Sequence, residues 1–97
     1  MEIERDYYSN GNIYKEYFWD PDKRRHREDG PAYTEYYHSG VVHYEAYYLN
    51  DLLHREDGPA QIFYNEDRTI NRIYYWLNGI KITDDLQIMV MKGLNNT

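Results

Sequence analysis

The chain of 97 residues contains no cysteine. Disulfide bridges and thiolate chemistry are therefore excluded, and the composition fits a reducing compartment. No apolar run approaches the roughly 20 residues of a membrane-spanning helix. The opening residues, 1–6, are mostly charged where a secretory signal would have an apolar segment. We therefore expect a soluble protein of the cytoplasm that makes no contact with a membrane.

Basic residues are also scarce. Eleven Lys and Arg stand against 17 Asp and Glu, which gives a net charge of −6. This sign is unfavourable for a protein whose main task is to bind nucleic acid. We expect a protein partner instead, and a partner with a basic surface would complement the charge.

The sequence has few groups that could act as a nucleophile. Its only serines, Ser9 and Ser39, lie in predicted turns. Neither a Gly-x-Ser-x-Gly segment nor a Gly-rich phosphate loop is present. We therefore expect no enzymatic activity and no cofactor.

One segment occurs twice without change: residues 26–32 and 54–60 both read His-Arg-Glu-Asp-Gly-Pro-Ala. We call these segments the heptads. Their spacing of 28 residues lies in the range of tandem supersecondary repeats. A third, degenerate unit follows, because residues 75–78 (Tyr-Trp-Leu-Asn) match residues 47–50 (Tyr-Tyr-Leu-Asn) at the same offset. The prediction is one domain over 1–97 with repeats at about 6–34, 35–62 and 63–82.

Aromatic and β-branched residues recur at every second position, and this pattern predicts two strands in each repeat. The long strands have period two in aromatic and β-branched residues over Ile13–Trp19, Val42–Tyr48 and Ile70–Trp76. Shorter strands follow each Gly-Pro, over Ala32–Tyr37 and Ala60–Tyr64. The first short strand of the sheet is expected at residues 7 and 8.

Turn residues separate these strands. Tight hairpins are predicted at Asn10-Gly11, Ser39-Gly40, Asn50-Asp51 and Asn78-Gly79, whose residues tolerate positive φ. A wider turn is predicted at residues 66–68, where the glycine is missing. The fold class is therefore mainly β, an antiparallel meander of about six strands built from three hairpin repeats of about 28 residues.

A short C-terminal helix is predicted where a third heptad would stand. Thr83 is followed by two acids and an apolar run, which predicts a helix over about 84–93 with Thr83 as its N-cap. Because the last repeat has no successor, we expect this helix to cap its apolar face. The predicted apolar stripe consists of Leu86, Met89, Val90 and Leu94. Gly93 is the predicted end of the helix.

Turn geometry explains every member of the heptads. Gly30 and Gly58 are predicted to take the left-handed conformation, and the following Pro opens the next strand. On this basis Gly58→Val should cost more stability than His54→Ala. The alternative is a metal-dependent enzyme whose ligands or acid-base groups are His26, Glu28, His54 and Glu56.

A basic segment, residues 23–27, holds four of the eleven Lys and Arg. It is favoured as a solvated turn that fixes strand register, and a contact with phosphate is the alternative interpretation.

Tyrosine is abundant, with 13 copies beside two Phe and two Trp. Half-buried sheets and binding surfaces both use this residue. Either the sheet curls so that both aromatic rows pack internally, or one face is left for a partner, which includes another copy of the chain. The candidate partner-binding residues are Tyr17, Trp19, Tyr44, Tyr48, Tyr74, Trp76, Glu35 and Glu45.

The motifs Tyr-Tyr-x-x-Gly, Tyr-Tyr-Leu-Asn and the heptad together resemble MORN-like β-hairpin repeats, which form short tandem arrays in phage, large-virus and bacterial proteins. Residues 78–85 also resemble the close of such arrays, where a final hairpin runs into a helix. The resemblance spans about 7–92 and implies a scaffold or binding surface, in the host cytoplasm if the protein is viral. It implies structural roles for the turn residues Gly11, Gly30, Gly40, Gly58, Pro31 and Pro59.

Three functions from different classes follow. We expect a non-enzymatic protein-binding repeat module that acts through a tyrosine-rich sheet face. An alternative is a small acidic phage-type inhibitor of a host defence nucleoprotein complex, similar to anti-CRISPR proteins, with Glu35, Glu45 and Glu66 in a basic channel. A second alternative is the metal-dependent enzyme built on the heptads.

Overall fold

The computed structural model of the protein describes residues 1–92, and the burial of helical side chains as far as residue 89. The elements in this part of the chain are β1 (Glu2–Tyr7), β2 (Ile13–Trp19), β3 (Tyr33–Tyr36), β4 (Val42–Ala46), β5 (Tyr48–Leu49), β6 (Leu52–Leu53), β7 (Gln61–Tyr64), β8 (Ile70–Leu77), β9 (Ile80–Ile82) and α1 (Asp85–Lys92). Seven strands form one antiparallel sheet in the order β1-β2-β3-β4-β7-β8-β9. The other two, β5 and β6, pair in a separate short hairpin.

The prediction of a mainly β chain, an antiparallel meander followed by a short helix, is confirmed. The main sheet has seven strands rather than about six. Its first strand begins at Glu2 instead of Tyr7, because alternating charges suit an exposed edge strand and leave no apolar pattern to detect. The predicted strand Val42–Tyr48 divides at Tyr47, whose N–H donates to the Ala60 carbonyl (2.7 Å).

The sheet is a single layer that does not close around a core. Among the described side chains, no large one is fully buried, and the residues with 0% exposure are Ala32, Ala46 and Ala60. Ile62 at 7% and Tyr75 at 5% are the large apolar side chains counted as buried. The strand order leaves β1 and β9 unpaired with one another, and rings on both faces stay partly exposed.

Residues with positive φ close the turns of the long strands. Gly11 (φ 90°) and Gly40 (φ 94°) each donate their N–H to the carbonyl three residues earlier, at 3.0 and 2.9 Å. Arg68 takes the same place in the next turn with φ 73°, and its N–H donates to the Asn65 carbonyl at 3.0 Å. The predicted wider turn at 66–68 is therefore wrong, because an arginine occupies the strained position of the same tight turn.

The other two predicted hairpins form with both central residues at positive φ. These φ values are 51° and 69° for Asn50-Asp51, and 49° and 79° for Asn78-Gly79. This is the backbone conformation of a type I′ turn, whose twist matches that of the flanking strands.

Replacing Arg68 by glycine should stabilise the protein. We expect Arg68→Gly to raise the free energy of unfolding by about 0.5–1 kcal/mol, because glycine adopts positive φ without a Cβ penalty. Urea denaturation measures the change. The matched control is Gly40→Ala, where a Cβ would meet Asn12 Nδ2 at an ordinary 3.7 Å, so its loss of stability reports φ alone. A less stable Arg68→Gly variant would contradict the account of this turn.

The helix begins at Asp85, and its N-cap is Asp84 instead of the predicted Thr83. The Asp84 carboxylate accepts a hydrogen bond from the Gln87 N–H (2.9 Å), which makes Asp84 the N-cap. Leu86 is 70% exposed and Met89 is 41% exposed, so this part of the predicted stripe is not buried and does not cap the sheet. The remaining stripe residues and the predicted helix end, namely Val90, Leu94 and Gly93, lie outside the described side chains.

Candidate functional site

A ladder of six aromatic rings crosses one face of the sheet, which we call the aromatic face. The ladder runs from β2 to β8, and successive ring centres lie between 4.5 and 6.1 Å apart. Aromatic pairs attract one another at such separations. All six rings are half-buried. In order across the sheet they are Trp19, Tyr17, Tyr33, Tyr44, Phe63 and Tyr74.

Strand register explains why these rings share a face. Residues directly opposite one another in antiparallel strands project from the same side of the sheet. Tyr17 lies opposite Tyr33, and Tyr44 lies opposite Phe63. The fully buried Ala46 lies opposite Tyr33 in the same cross-strand row.

Two further aromatic residues, Trp76 and Tyr48, extend the aromatic face beyond the ladder. The Trp76 indole N–H donates to Gln61 Oε1 (2.7 Å), and Gln61 Nε2 donates to the Tyr44 hydroxyl (2.7 Å). This relay holds the Trp76 and Tyr44 side chains in place. At the rim, the Arg25 guanidinium lies 4.1 Å from the centre of the Tyr48 ring.

The structure brings together the six aromatic residues predicted to bind a partner, on this face or at its rim. Tyr33, Phe63 and Gln61 also belong to the face and were not predicted. They lie on four-residue strands, which are too short to show a period. The position of Tyr33 and Gln61, each directly after a heptad, is the sequence signal that could have identified two of them.

The two predicted acidic residues lie on opposite faces. Glu35 is opposite Tyr44 on the aromatic face, and it accepts a hydrogen bond from the Tyr33 hydroxyl (2.8 Å). Glu45 is opposite Ile62 on the other face, so the structure does not bring it together with the other candidate residues. Successive side chains of a strand project to opposite faces, so the adjacent residues Tyr44 and Glu45 lie on different sides of the sheet.

The carboxylates of Glu35 and Glu45 each accept a hydrogen bond from a tyrosine hydroxyl group. Burial, and then the hydrogen bond to Glu35, raises the pKa of the Tyr33 hydroxyl above its ordinary value. Burial and the hydrogen bond to Glu45 (2.7 Å) raise the pKa of Tyr64 in the same way. These tyrosines therefore stay protonated at neutral pH and act as hydrogen-bond donors.

The heptads cover part of the opposite face through their arginines. The Arg27 guanidinium lies 4.0 Å from the centre of the Phe18 ring, and Arg55 lies 4.1 Å from that of Tyr47. Arg55 Nε donates to Asp57 (3.2 Å), and Arg55 Nη1 donates to the Pro59 carbonyl (3.1 Å). The first heptad makes the equivalent bonds.

The heptad glycines have a role that differs from the predicted one. Positive φ among glycines occurs at three other positions, so the left-handed conformation predicted for Gly30 and Gly58 is wrong. A Cβ at Gly58 would lie 3.0 Å from Arg55 Cζ, and one at Gly30 would lie 2.9 Å from Arg27 Cζ. Glycine is needed because the guanidinium packs directly on the backbone. Gly58→Val is still predicted to lower the stability more than His54→Ala, now because the new side chain would collide with the Arg55 guanidinium.

Each heptad histidine supports the hairpin of the following unit. His26 Nδ1 accepts a hydrogen bond from the Asn50 N–H, and His54 Nδ1 accepts one from the Asn78 N–H, both at 2.9 Å. The histidine proton is then on Nε2. Within residues 1–92 there is no group of three or more His, Cys, Asp or Glu residues placed to hold a metal ion.

A groove of about 510 Å³ separates the two heptads on this side of the sheet. Its floor is formed by Tyr47 and Leu49, and the four acidic residues on its walls are 82–89% exposed. The histidine of each heptad has a glutamate Oε1 beside it, 3.7 Å away in the first and 3.6 Å in the second.

The basic segment 23–27 is neutralised by acids of the same chain. The ion pairs of its Lys and Arg residues are Lys23–Glu2 (2.7 Å), Arg24–Asp20 (2.8 Å), Arg24–Asp22 (3.4 Å), Arg25–Asp51 (2.6 Å) and Arg27–Asp29 (3.0 Å). The segment therefore offers no unpaired cluster of positive charge to a phosphate backbone. This arrangement matches the favoured interpretation of a turn that fixes register.

Asp20 organises this segment from a buried position at 7% exposure. Its carboxylate accepts hydrogen bonds from the backbone N–H groups of Arg24 and Asp22, both 2.9 Å, and from Arg24 Nε. The Arg24 backbone bond is the first cause that lowers the pKa of Asp20. Asp20 was not predicted as important, although the turn motif Asp-Pro-Asp in the sequence is compatible with such a role.

The lowered pKa of Asp20 makes stability depend on acid pH. A carboxyl group whose pKa is lower in the folded state contributes stability above its unfolded pKa of about 4, and this is lost as pH falls through the folded pKa. We expect the melting temperature to fall as the pH drops below about 4, and to fall less in Asp20→Asn, which is already destabilised at pH 7. Asp22→Asn, with a side chain 78% exposed, is the control that should follow the wild type. Identical pH profiles for wild type and Asp20→Asn would contradict this role.

No helix among the described residues is both long and apolar enough to cross a membrane. Comparison of the chain with protein-family models, with curated proteins and with solved structures finds no match. The geometry of the aromatic face and of the heptads is therefore what bears on function.

Proposed function

We propose that this protein is a non-enzymatic binding module that holds a protein partner on the aromatic face. The observation that carries this proposal is the ladder of six half-buried rings on an open sheet, in which no large described side chain is fully buried. A contiguous apolar surface of this kind is typical of an interaction site.

The chemistry of the face favours a protein over a nucleic acid. Tyr and Trp are enriched among residues that dominate protein interfaces, because each supplies a large apolar area together with a polar group. Strand register places four acids on this face, against three bases, which disfavours a phosphate backbone. The acids are Glu2, Glu4, Asp6 and Glu35, and the bases are Lys15, Arg72 and Lys81.

We also propose that the chain is a tandem array of three MORN-like hairpin repeats that presents this face. Equivalent contacts at spacings of 28 or 29 residues support the proposal. The Arg27 and Arg55 N–H groups donate to the carbonyls of Tyr48 and Trp76, both at 3.1 Å. The Tyr8 and Tyr37 hydroxyl groups likewise donate to backbone carbonyls of the following unit, at 2.6 and 2.7 Å.

Partner capture by matched variants tests the binding role. The tagged protein is used to capture proteins from a lysate of its source, and the captured proteins are quantified by mass spectrometry. We expect Trp76→Ala or Tyr48→Ala to reduce capture roughly tenfold, which is the size of effect seen at interface anchor residues. Tyr36→Ala, on the opposite face, is the control that should retain capture. Unchanged capture by folded Trp76→Ala and Tyr48→Ala variants would refute the proposal.

A second candidate is an acidic inhibitor of a host defence nucleoprotein complex. The observation that favours it is the exposure of the four heptad acids, whose side chains are 82–89% accessible. In contrast, the predicted Glu35 and Glu45 are engaged by tyrosine hydroxyl groups. This candidate requires inhibition that weakens with added salt and with Glu28→Lys and Glu56→Lys together. Inhibition insensitive to both would exclude charge mimicry.

A further inference from the structure

The aromatic face carries opposite charges at its two edges. Register places three acids of the outermost strand β1, at residues 2, 4 and 6, on this face. Glu2 is paired with Lys23 (2.7 Å), so Glu4 and Asp6 carry the negative charge of this edge. At the other edge, Lys81 of β9 lies opposite Trp76, and its ammonium group is 4.4 Å from the centre of the Tyr74 ring. Arg72 of β8, opposite Phe63, belongs to the same edge. The surface is therefore acidic at one end, aromatic in the middle and basic at the other end.

We propose that a second copy of this chain binds the aromatic face, so that two copies stack face to face about a two-fold axis parallel to the strands. Such an axis reverses the strand order, and it sets the acidic edge of each copy against the basic edge of the other. A two-fold axis across the strands would instead set acid against acid and base against base. This inference rests on the proposed function, because it names the partner of the same surface.

Two charged residues define the expected contact. Asp6 and Arg72 lie at the ends of one cross-strand row, through the successive pairs of β1 to β8. Both are exposed, and neither side chain makes an ion pair or hydrogen bond with another described side chain among residues 1–89. A two-fold dimer would pair Asp6 of each copy with Arg72 of the other, so the interface would contain two equivalent ion pairs.

The area of the aromatic face sets the expected affinity of the dimer. Seven strands about 4.8 Å apart, with about five residues each, give roughly 500 Å² of flat area per copy. Two copies thus provide about 1,000 Å², which is at the lower limit of specific interfaces. Two sheets pack about 10 Å apart, so rings from both copies can interdigitate. We expect a weak, reversible dimer with a dissociation constant in the micromolar range.

Sedimentation velocity on the full chain, from about 5 to about 500 µM, measures this equilibrium. Asp6→Arg and Arg72→Asp should each raise the dissociation constant roughly tenfold at low salt, because each makes two repulsive contacts. An equimolar mixture of the two variants should recover wild-type association, since each supplies the charge that the other lacks. The double variant D6R/R72D should recover it as well.

Controls with the same charge changes separate the proposed contact from net charge. Glu56→Arg and Arg68→Asp lie away from the aromatic face and should leave the dissociation constant within about twofold of wild type. Because both tryptophans, Trp19 and Trp76, belong to this face, their emission should shift to shorter wavelength as the dimer forms.

A chain that stays monomeric throughout, or a dimer that Asp6→Arg does not weaken, overturns the second copy as partner. If such a chain still loses the capture of another protein in Trp76→Ala, the proposed function stands and this inference alone fails. A dimer without recovery in the mixture, and with no effect of Trp76→Ala on dimerisation or capture, would instead refute the aromatic face as the binding surface.

Discussion

The variant Arg55→Ala should lower the free energy of unfolding by about 2 kcal/mol, from the combined loss of a cation–π contact and a charged hydrogen bond. The guanidinium lies between the Tyr47 ring and the backbone of Gly58, and it donates to the Pro59 carbonyl. Its pair with Asp57 adds little, because that carboxylate is 89% exposed. Urea denaturation at neutral pH measures the loss.

A double-mutant cycle tests the role assigned to the heptad glycine. Gly58→Ala alone should cost about 1 kcal/mol, because the new Cβ displaces the guanidinium of Arg55. In the Arg55→Ala background the same change should be neutral or stabilising, since alanine restricts the unfolded chain and the obstruction is gone. An equal cost in both backgrounds would show that Gly58 is needed for its own conformation.

Phe63→Ala should lower the free energy of unfolding by about 2–3 kcal/mol, which is less than for a fully buried Phe. The ring is half-buried and contacts Tyr44 at 4.5 Å and Tyr74 at 6.1 Å between centres. Its removal divides the ladder into two parts. Because the sheet has no closed core, these ring contacts are a large part of its apolar packing. Thermal or urea unfolding provides the measurement.

Phe63→Leu distinguishes ring contacts from simple burial. Leucine keeps most of the apolar area and loses the aromatic interactions, so we expect a cost of about 1 kcal/mol. If Phe63→Leu costs as much as Phe63→Ala, shape complementarity and not apolar area dominates at this site. If neither variant changes stability, the ladder does not stabilise the sheet.

The parts of the fold that could be predicted from sequence are those with a strong local signal. Period-two alternation gave β2 with its observed bounds, and Asn-Gly or Ser-Gly dipeptides marked the turns. The same alternation placed Tyr17, Trp19 and Tyr74 on one face. Glu45 lies on the opposite face because it is adjacent to Tyr44 in one strand.

The remaining features depend on contacts distant in sequence. The edge strand β1 is stabilised by pairing with β2, so its own residues 2–7 have no apolar period to reveal it. The role of Gly58 follows from the position of the Arg55 side chain, which the local motif does not specify. Arg68 occupies a turn position that favours glycine, and the surrounding strands determine its conformation. The exposure of α1 likewise depends on where the chain leaves β9.

The central claim is that the aromatic face, and not the opposite face, receives the partner. Hydroxyl-radical footprinting of the chain, free and in its captured complex or dimer, tests this most directly. We expect protection of Trp19, Tyr44 and Trp76 in the complex, with Tyr36 and Tyr64 on the other side unchanged. Protection confined to Tyr36 and Tyr64 would contradict the account.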